Sequence, residues 1–414
     1  MPDTADLATR MQAKASDAAK SLLLADPDSD LRLESTLRRS QQVRHTSGVF
    51  DLDNPVLREA VGGRSALVVC TPTVYRLYGA GIRDYAATLS TPSSVEIMVL
   101  DRDESSKSLD AVVEVCERAA ASRLLRTSPI NAVGGGVCTD ICGLAAALYR
   151  RGIPHIKIPT TLVGLVDAGI GTKNAVNHGG HKSSLGSFHP PEHSILDPGF
   201  LTTLPVRHLR NGLAEIAKLA IVAEPALFEL LARHGVDLLR SGFRAPAGAR
   251  DEVLHRSVAG MLGQLSENLF EQVDYRRKVD FGHTLSPYIE IASEHAVLHG
   301  EAVAMDVALS SQIAHDLGVL DAGHLDRILS LLSGLGLNLV WAPTQVDLMW
   351  STLSTVHEHR NGDLHLVVPT GIGSCTYLGL EAVTPEVLRD AHERLLLRRF
   401  SRPPRAAFDD AVSR

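Results

Sequence analysis

The 414-residue chain predicts an α/β N-terminal domain built on a parallel sheet, followed by a mainly α-helical C-terminal domain. Three observations carry this expectation. Strand-like apolar runs at Ala66–Cys70, Val95–Leu100, Ile130–Val133 and His155–Ile158 alternate with helical patterns, the signature of parallel α/β architecture. The third run stops at Gly134, Gly135 and Gly136, and an uncharged segment from Ile141 to Tyr149, long enough for a helix, follows. After about Leu204 strand-like runs nearly vanish, and helical periodicity runs through Arg240, then over 251–270, 284–295, 301–317 and 322–335. The expected layout is an extension at 1–45, an α/β domain at 46–204, a helical domain at 205–395 and a tail at 396–414.

In chain order, residues 1–45 are polar and rich in Ala, Asp, Ser and Arg, and read as a helical or partly disordered extension. The strand at Ala66 leads to Thr71-Pro72-Thr73; the one at Val95 leads to Asp101–Lys107 and a helix over Leu109–Ala121. A strand feeding glycines feeding a helix brings bare N–H groups and a helix N-terminus up to a phosphate, a Rossmann-like plan. The GxGxxG spacing is absent, because the glycine after Gly136 is Gly143. By spacing alone the turn fits either a nucleotide site or a tight connection that binds nothing.

Pro159-Thr160-Thr161 ends the next strand, and Asp167, Lys173 and Lys182 follow in a segment rich in Gly, Thr, Ser and Asn. Two ammonium groups and a carboxylate there can hold an anionic substrate, although each lysine alone reads as a solvated charge. Glu215 and Lys218, three apart on an expected helix, share a face and alone read as an ion pair. His283 lies in DFGHT and His299 in LHGEAV, but without an HExxH no zinc signature arises from spacing. The tail RRFSRPPRAAFDDAVSR is charged and proline-broken, a loose end.

Composition excludes several classes. A hydrophobic content of 44% with 21% charged residues is that of a globular protein, and a net charge of −7 argues against a nucleic-acid partner. No apolar run approaches the ~20 residues that a bilayer requires, and the first 20 residues lack a secretory apolar core. The five cysteines, an odd and sparse set, suit free thiols in a reducing cytoplasm.

The ordered motifs GGGVxxD, PTTL, VDxxxGxK, HK, LPxRxxxxGxAE and GHT resemble the sugar phosphate cyclase family, whose best-known member is dehydroquinate synthase. The resemblance spans roughly residues 65–380. It implies a dehydroquinate synthase-like fold, with a Rossmann-like dinucleotide-binding domain and a helical metal- and substrate-binding domain. It also implies NAD, contacted by Glu104, Lys107, Gly135, Gly136, Val137, Asp140, Thr160, Thr161 and Lys182. Glu215, His283 and His299 match the family's metal ligands, for Zn²⁺ or Co²⁺. Asp167, Lys173, Lys182, Lys218, Arg151, Arg276 and Asp280 match its catalytic and substrate-binding groups. The arginine comes from a neighbouring subunit in the family, which implies a homodimer. The implied chemistry is transient NAD-dependent oxidation of a sugar phosphate, β-elimination of phosphate, reduction, ring opening and intramolecular aldol closure.

Departures from dehydroquinate synthase are informative. The lysine expected about twenty residues before His283 is missing from MLGQL (261–265), and the DKK motif near 357 is HEHRNG; of that carboxylate-binding cluster only Arg276 survives. Pro287 replaces the second histidine of GHTxGH, while Asp280 and Ser183 stand where dehydroquinate synthase has asparagine. A site stripped of cations suits an uncharged hydroxymethyl end. The pattern resembles the branch acting on sedoheptulose 7-phosphate, the valiolone synthases. Thr71-Pro72-Thr73 replaces the family's acidic ribose contact, which leaves that contact unassigned. The rival readings are dehydroquinate synthase or another cyclase, an NAD- and metal-dependent alcohol dehydrogenase, and a dinucleotide sensor without catalysis.

Overall fold

The computed structural model describes residues 19–24, 32–89, 94–271, 276–359 and 365–398. Two compact units emerge, Met1–Gln42 and Val43–Arg414. In the first, β1 (Ala19–Leu24) and β2 (Arg32–Leu37) pair antiparallel, Ala19 opposite Leu37. A hairpin thus stands where a helical or disordered extension was expected. Arg-Leu-Glu opens β2 with a two-residue alternation, a period that suits a strand better than a helix.

The second unit holds a six-stranded sheet in the order β3 (Gln42–His45), β10 (His193–Leu196), β7 (His155–Pro159), β6 (Ile130–Gly134), β4 (Ala66–Cys70) and β5 (Val95–Val99). From β10 to β5 every neighbouring pair is parallel. Alternate residues of β4 serve opposite layers. Leu67 and Val69 pack under α3 (Leu109–Ala121) and α4 (Gly136–Leu148), whereas Val68 and Cys70 pack under α1 (Val56–Val61) and α2 (Pro72–Leu89). Burial on both faces accounts for the unbroken apolar run of β4. Helix α4 starts at Gly136 itself, five residues before its apolar stretch, so its N-terminus opens directly on the glycine turn.

The segment rich in Gly, Thr, Ser and Asn that carries Lys173 and Lys182 is a hairpin, β8 (Lys173–His178) against β9 (His181–Phe188). Gly179 and Gly180 form its two-residue loop with φ of +60° and +79°, the left-handed pair that tight hairpins demand. Gly-Gly between His178 and His181 was the overlooked signal. A second hairpin, β11 (Leu366–Gly371) with β12 (Ser374–Leu378), interrupts the helical half.

That half is built around α5 (Val206–Val222), buried from Gly212 to Val222 without a break. It packs with α6 (Pro225–Arg240), α7 (Ala247–Glu267) and α9 (His299–Asp316), while α8 (Ser286–Ala292) leads into α9; α10 (Ala322–Gly334), α11 (Val346–His359) and α12 (Pro385–Leu397) complete it. Two ties fix α9 on α5. Arg207 forks onto Glu301 at 2.7 and 2.6 Å, and the Gly300 N–H donates to Asn211 Oδ1 at 2.5 Å. A Cβ on Gly300 would stand 2.0 Å from the Asn211 carbonyl oxygen, so only glycine permits this approach. Gly300→Ala is therefore expected to lose about 1–3 kcal/mol of stability and to displace the neighbouring His299. Urea unfolding and a zinc titration check this; wild-type values in both would remove the close-approach argument.

Lys157 of β7 is fully buried on the sheet, and burial pulls its ammonium from 10.5 down to about 8. Between those values the unfolded chain binds the proton and the folded chain does not, so stability rises with pH through that window. Relative to Lys157→Met, the wild type should gain up to about 3 kcal/mol between pH 7.5 and 10, read by urea unfolding of both proteins. A flat or falling difference would contradict the buried, weakened ammonium.

Candidate metal and nucleotide site

Helix α5 supplies the first polar group. Glu215 is 1% exposed, and Lys218, one turn on, places Nζ 2.6 Å from Oε2. A carboxylate this deep needs an opposite charge. Burial alone would raise Glu215, but Lys218 and the adjacent histidines outweigh it and hold the carboxyl well below its usual range. Lys218 is raised in turn: burial opposes its charge, and Glu215 and Asp167 restore it.

Two imidazoles close over Oε1 of Glu215, with Nε2 of His299 at 3.1 Å and Nε2 of His283 at 3.7 Å. One ligand atom from each of the three residues lies within 4.8 Å of the other two. Tetrahedral zinc with bonds of about 2.0–2.1 Å spaces its ligands by about 3.3 Å, between the two observed separations. The remaining ring nitrogens are committed elsewhere. His283 Nδ1 donates to the Phe281 carbonyl at 3.1 Å, and His299 Nδ1 meets Glu290 Oε1 at 3.0 Å. Such partners fix the ring orientation and leave both Nε2 atoms facing the gap. Burial and Lys218 push His283 down to about 3, a neutral imidazole fit for a cation. Burial and Lys182 also oppose charge on His299, but Glu290 and Glu215 prevail and lift it to about 9. With a divalent cation in the gap, its Nε2 proton would leave. The donor set, two nitrogens and a carboxylate, suits Zn²⁺ or Co²⁺.

Backbone scaffolding explains why these residues converge. Asp306 of α9 accepts from the Leu285 and Ser286 N–H groups at 2.6 and 2.9 Å and from Ser310 Oγ at 2.8 Å, which pins the turn carrying His283. Asp167 lies in the π-turn Gly164–Ala168. Burial raises its pKa, while Lys218, His299 and Lys173 are near enough to draw it down. The structure therefore gathers Asp167, Lys218 and the three candidate ligands in one place.

The nucleotide half has its own pair. Lys107, 5% exposed, reaches Asp140 Oδ2 at 2.6 Å. Burial would neutralise it, but Asp140 and Glu104 keep it charged. Asn177 of β8 donates to the Glu104 carbonyl and carboxylate at 3.0 and 3.1 Å, so the hairpin is tied to the segment holding Glu104 and Lys107. The Gly134 carbonyl accepts from Thr160 N–H at 3.0 Å, and Thr161 Oγ1 accepts from Gly164 N–H at 3.1 Å. A Cβ on Gly135 would press on the Thr161 methyl at 3.1 Å. Gly135, Gly136, Val137, Thr160 and Thr161 lie at one edge, where the N-terminus of α4 could receive an anion.

Other expected residues sit elsewhere. Lys182 pairs with Glu290, its Nζ 3.4 Å from His299 Nδ1, so it joins the metal side. Lys173 is half exposed and pairs with Glu271. Arg276 is exposed, and it is the next residue, Arg277, that contacts Asp280 (Nε to Oδ2 3.2 Å) and Glu271. Arg151 is exposed, just past the end of α4 away from the glycine turn. HEHRNG falls partly on residues 360–362, outside those described. Glu271, Arg277, Glu290 and Lys157 were missed, because isolated charges carry no periodic or motif signal. Glu290 had one weak cue, a carboxylate placed among apolar residues just after GHT.

Residues 97–211 match the 3-dehydroquinate synthase N-terminal family and residues 212–357 the C-terminal one. A 2-epi-5-epi-valiolone synthase from Streptomyces glaucescens is 44% identical over 352 residues, 84% of this chain and 90% of that protein. A 3-dehydroquinate synthase from Microcystis aeruginosa is 32% identical over 331 residues, 79% of this chain and 88% of the relative. The solved 2-epi-5-epi-valiolone synthase of Streptomyces hygroscopicus subsp. jinggangensis 5008, with NAD⁺ and Zn²⁺ bound, superposes with a TM-score of 0.83 at 42% identity, covering 89% of this chain and all of that one. With a parallel sheet leading to a glycine turn, a helical half carrying the Glu-His-His cluster, and relatives of this closeness, the chain belongs to the 3-dehydroquinate synthase family.

Proposed function

We propose that the protein is a sugar phosphate cyclase that converts sedoheptulose 7-phosphate to 2-epi-5-epi-valiolone with release of phosphate. It is thereby a carbon–oxygen lyase of C7-cyclitol biosynthesis. The observation that carries the reading is the state of the cations near Asp280. Arg277 is already taken by Glu271 and Asp280. A substrate carboxylate arriving at Arg277 would meet a guanidinium already held by two carboxylates, an arrangement that disfavours it by about 2–5 kcal/mol. An uncharged hydroxymethyl end carries no such penalty. The 44% identity to a 2-epi-5-epi-valiolone synthase supports the same choice.

NAD and Zn²⁺, both bound in the similar solved structure, would supply hydride exchange and Lewis acidity when present. Glu215, His283 and His299 would hold the metal; Lys107, Asp140 and the glycine turn would hold the dinucleotide. The chain's own part is binding and proton control. Lys173 at the mouth and Lys218 beneath offer point charges to the phosphoryl oxygens. Asp167, next to Lys218, faces the reacting hydroxyls, and burial keeps its carboxylate basic enough to take a proton. We further read the protein as a homodimer in which Arg151, remote from the glycine turn of its own chain, serves a neighbouring copy. Its free thiols fit the cytoplasm.

Purified protein offered sedoheptulose 7-phosphate should release phosphate and yield a cyclitol, with kcat/KM at least 100-fold above that for the dehydroquinate precursor. Faster turnover of the acid, or of neither, would end the assignment. Chelation should abolish activity and added Zn²⁺ or Co²⁺ restore it, and His283→Ala and His299→Ala should bind no metal. A metal-free variant with full activity would dismiss the cluster. Lys173→Ala, at an exposed position, should fold normally yet lose about 2 kcal/mol in kcat/KM; an unchanged value would remove it from the phosphate site.

A further inference from the structure

Among the described residues, Lys157 is a buried cation with no part in the metal or nucleotide site. Its Nζ donates to the carbonyls of Ala168 at 3.0 Å and Gly171 at 3.2 Å. Ser194 of β10 is its register partner on the adjacent parallel strand, and Ser194 Oγ donates to the Gly169 carbonyl at 2.6 Å. Both side chains are fully buried. Three of the four carbonyls that follow Asp167 are thus pinned by two neighbouring strands. The turn is also wedged from the side: a Cβ on Gly169 would stand 2.3 Å from the Gly164 carbonyl oxygen and 2.7 Å from Pro159 Cγ. Inside the turn, the N–H groups of Ile170 and Gly171 both reach back to the Asp167 carbonyl at 3.0 Å. The backbone on either side of the Asp167 side chain therefore has little freedom.

We propose that Lys157 and Ser194 form a two-strand clamp whose function is to position Asp167 against Lys218 and the reacting hydroxyls. A buried ammonium facing carbonyls weakens the fold, as its depressed basicity shows, and a leucine or methionine would fill the same volume without that cost. What the amine adds is two donors aimed at one turn, and that turn carries Asp167. Both residues act through Asp167 and are positioning residues. The argument rests on the cyclase reading for the role of Asp167, and on geometry alone for the clamp.

The test uses the NAD- and zinc-loaded enzyme with Lys157→Met, Ser194→Ala and Asp167→Asn, alone and combined. Lys157→Met should lower kcat for sedoheptulose 7-phosphate at least tenfold and Ser194→Ala about threefold, with KM within threefold of wild type and zinc content unchanged. The decisive cycle is in kcat: Asp167→Asn and Lys157→Met should each lower it, and the double variant should turn over no more slowly than Asp167→Asn. Additive losses, an unchanged kcat, or a loss confined to KM would overturn the proposal. Ser194→Ala carries the same cycle if Lys157→Met does not fold. Amide exchange over residues 164–171 judges the clamp independently of substrate: protection should fall at least tenfold in Lys157→Met, and retained protection would refute it. If the wild type leaves the heptulose phosphate untouched, the cyclase reading fails by itself, and the exchange result still decides the clamp.

Discussion

The site depends on one buried ion pair. Glu215 and Lys218 face inward from the stretch of α5 that has no exposed residue, and neither charge could persist there alone. An isolated buried carboxylate would take up a proton, and an isolated ammonium would lose one. Held one helical turn apart, each keeps the other ionised. The pair is electrically balanced, but Glu215 Oε1 still faces the two imidazole nitrogens. A divalent cation held in that gap would leave the cluster net positive, which suits both an anionic ligand and the nearby Asp167 carboxylate.

That requirement reaches far into the architecture. His299 stands over Glu215 only because α9 begins in contact with α5, through Gly300 and the Arg207 fork. His283 does so because Asp306 of α9 accepts from the N–H groups of Leu285 and Ser286, just after it. The nucleotide half is drawn in by the β8–β9 hairpin. At one point Asn177 grips the Glu104 segment, and at another Lys182 meets Glu290, the partner of His299. The hairpin is a physical bridge from the candidate dinucleotide residues to the candidate metal ligands, and its polar, exposed sequence suits a strand pair with solvent on one side.

What could be read in the sequence divides along physical lines. Strand β4 was visible because burial on both faces leaves five apolar residues in a row, β5 to β7 because Val, Ile, Ala and Met recur between isolated polar residues, and the helical half because its periodicity is strong. The β8–β9 hairpin was hidden: its residues are mostly polar, and only Gly179-Gly180 marked it. Glu215, His283 and His299 were legible through motif resemblance and not through spacing, since their contacts join elements 68 and 84 residues from Glu215. Arg277, Glu271, Glu290 and Lys157 left no trace, because a charge that finds its partner only after folding looks in sequence like any surface charge. The N-terminal hairpin stands where a helical or partly disordered extension was expected, because beyond Arg-Leu-Glu the strands AKSLLL and RLESTL carry no two-residue period.

Substrate choice follows from how charge is disposed, more than from how much is present. The sequence comparison with dehydroquinate synthase counted missing cations and left Arg276 as a survivor. The folded arrangement is more restrictive. Arg277 stands closest to Asp280, and both its faces are engaged by carboxylates of the chain itself. Neutralising a cation internally excludes an anionic substrate as effectively as deleting the cation, and it adds two like charges that repel one. Lys173, by contrast, is shared with Glu271 at an exposed position, where solvent lets the pair part at small cost. Both cations meet at Glu271 Oε1, yet they are not equivalent: Lys173, half exposed, can leave it for a phosphate, whereas Arg277 is held by Asp280 as well. A ligand with a single anionic group suits that inequality.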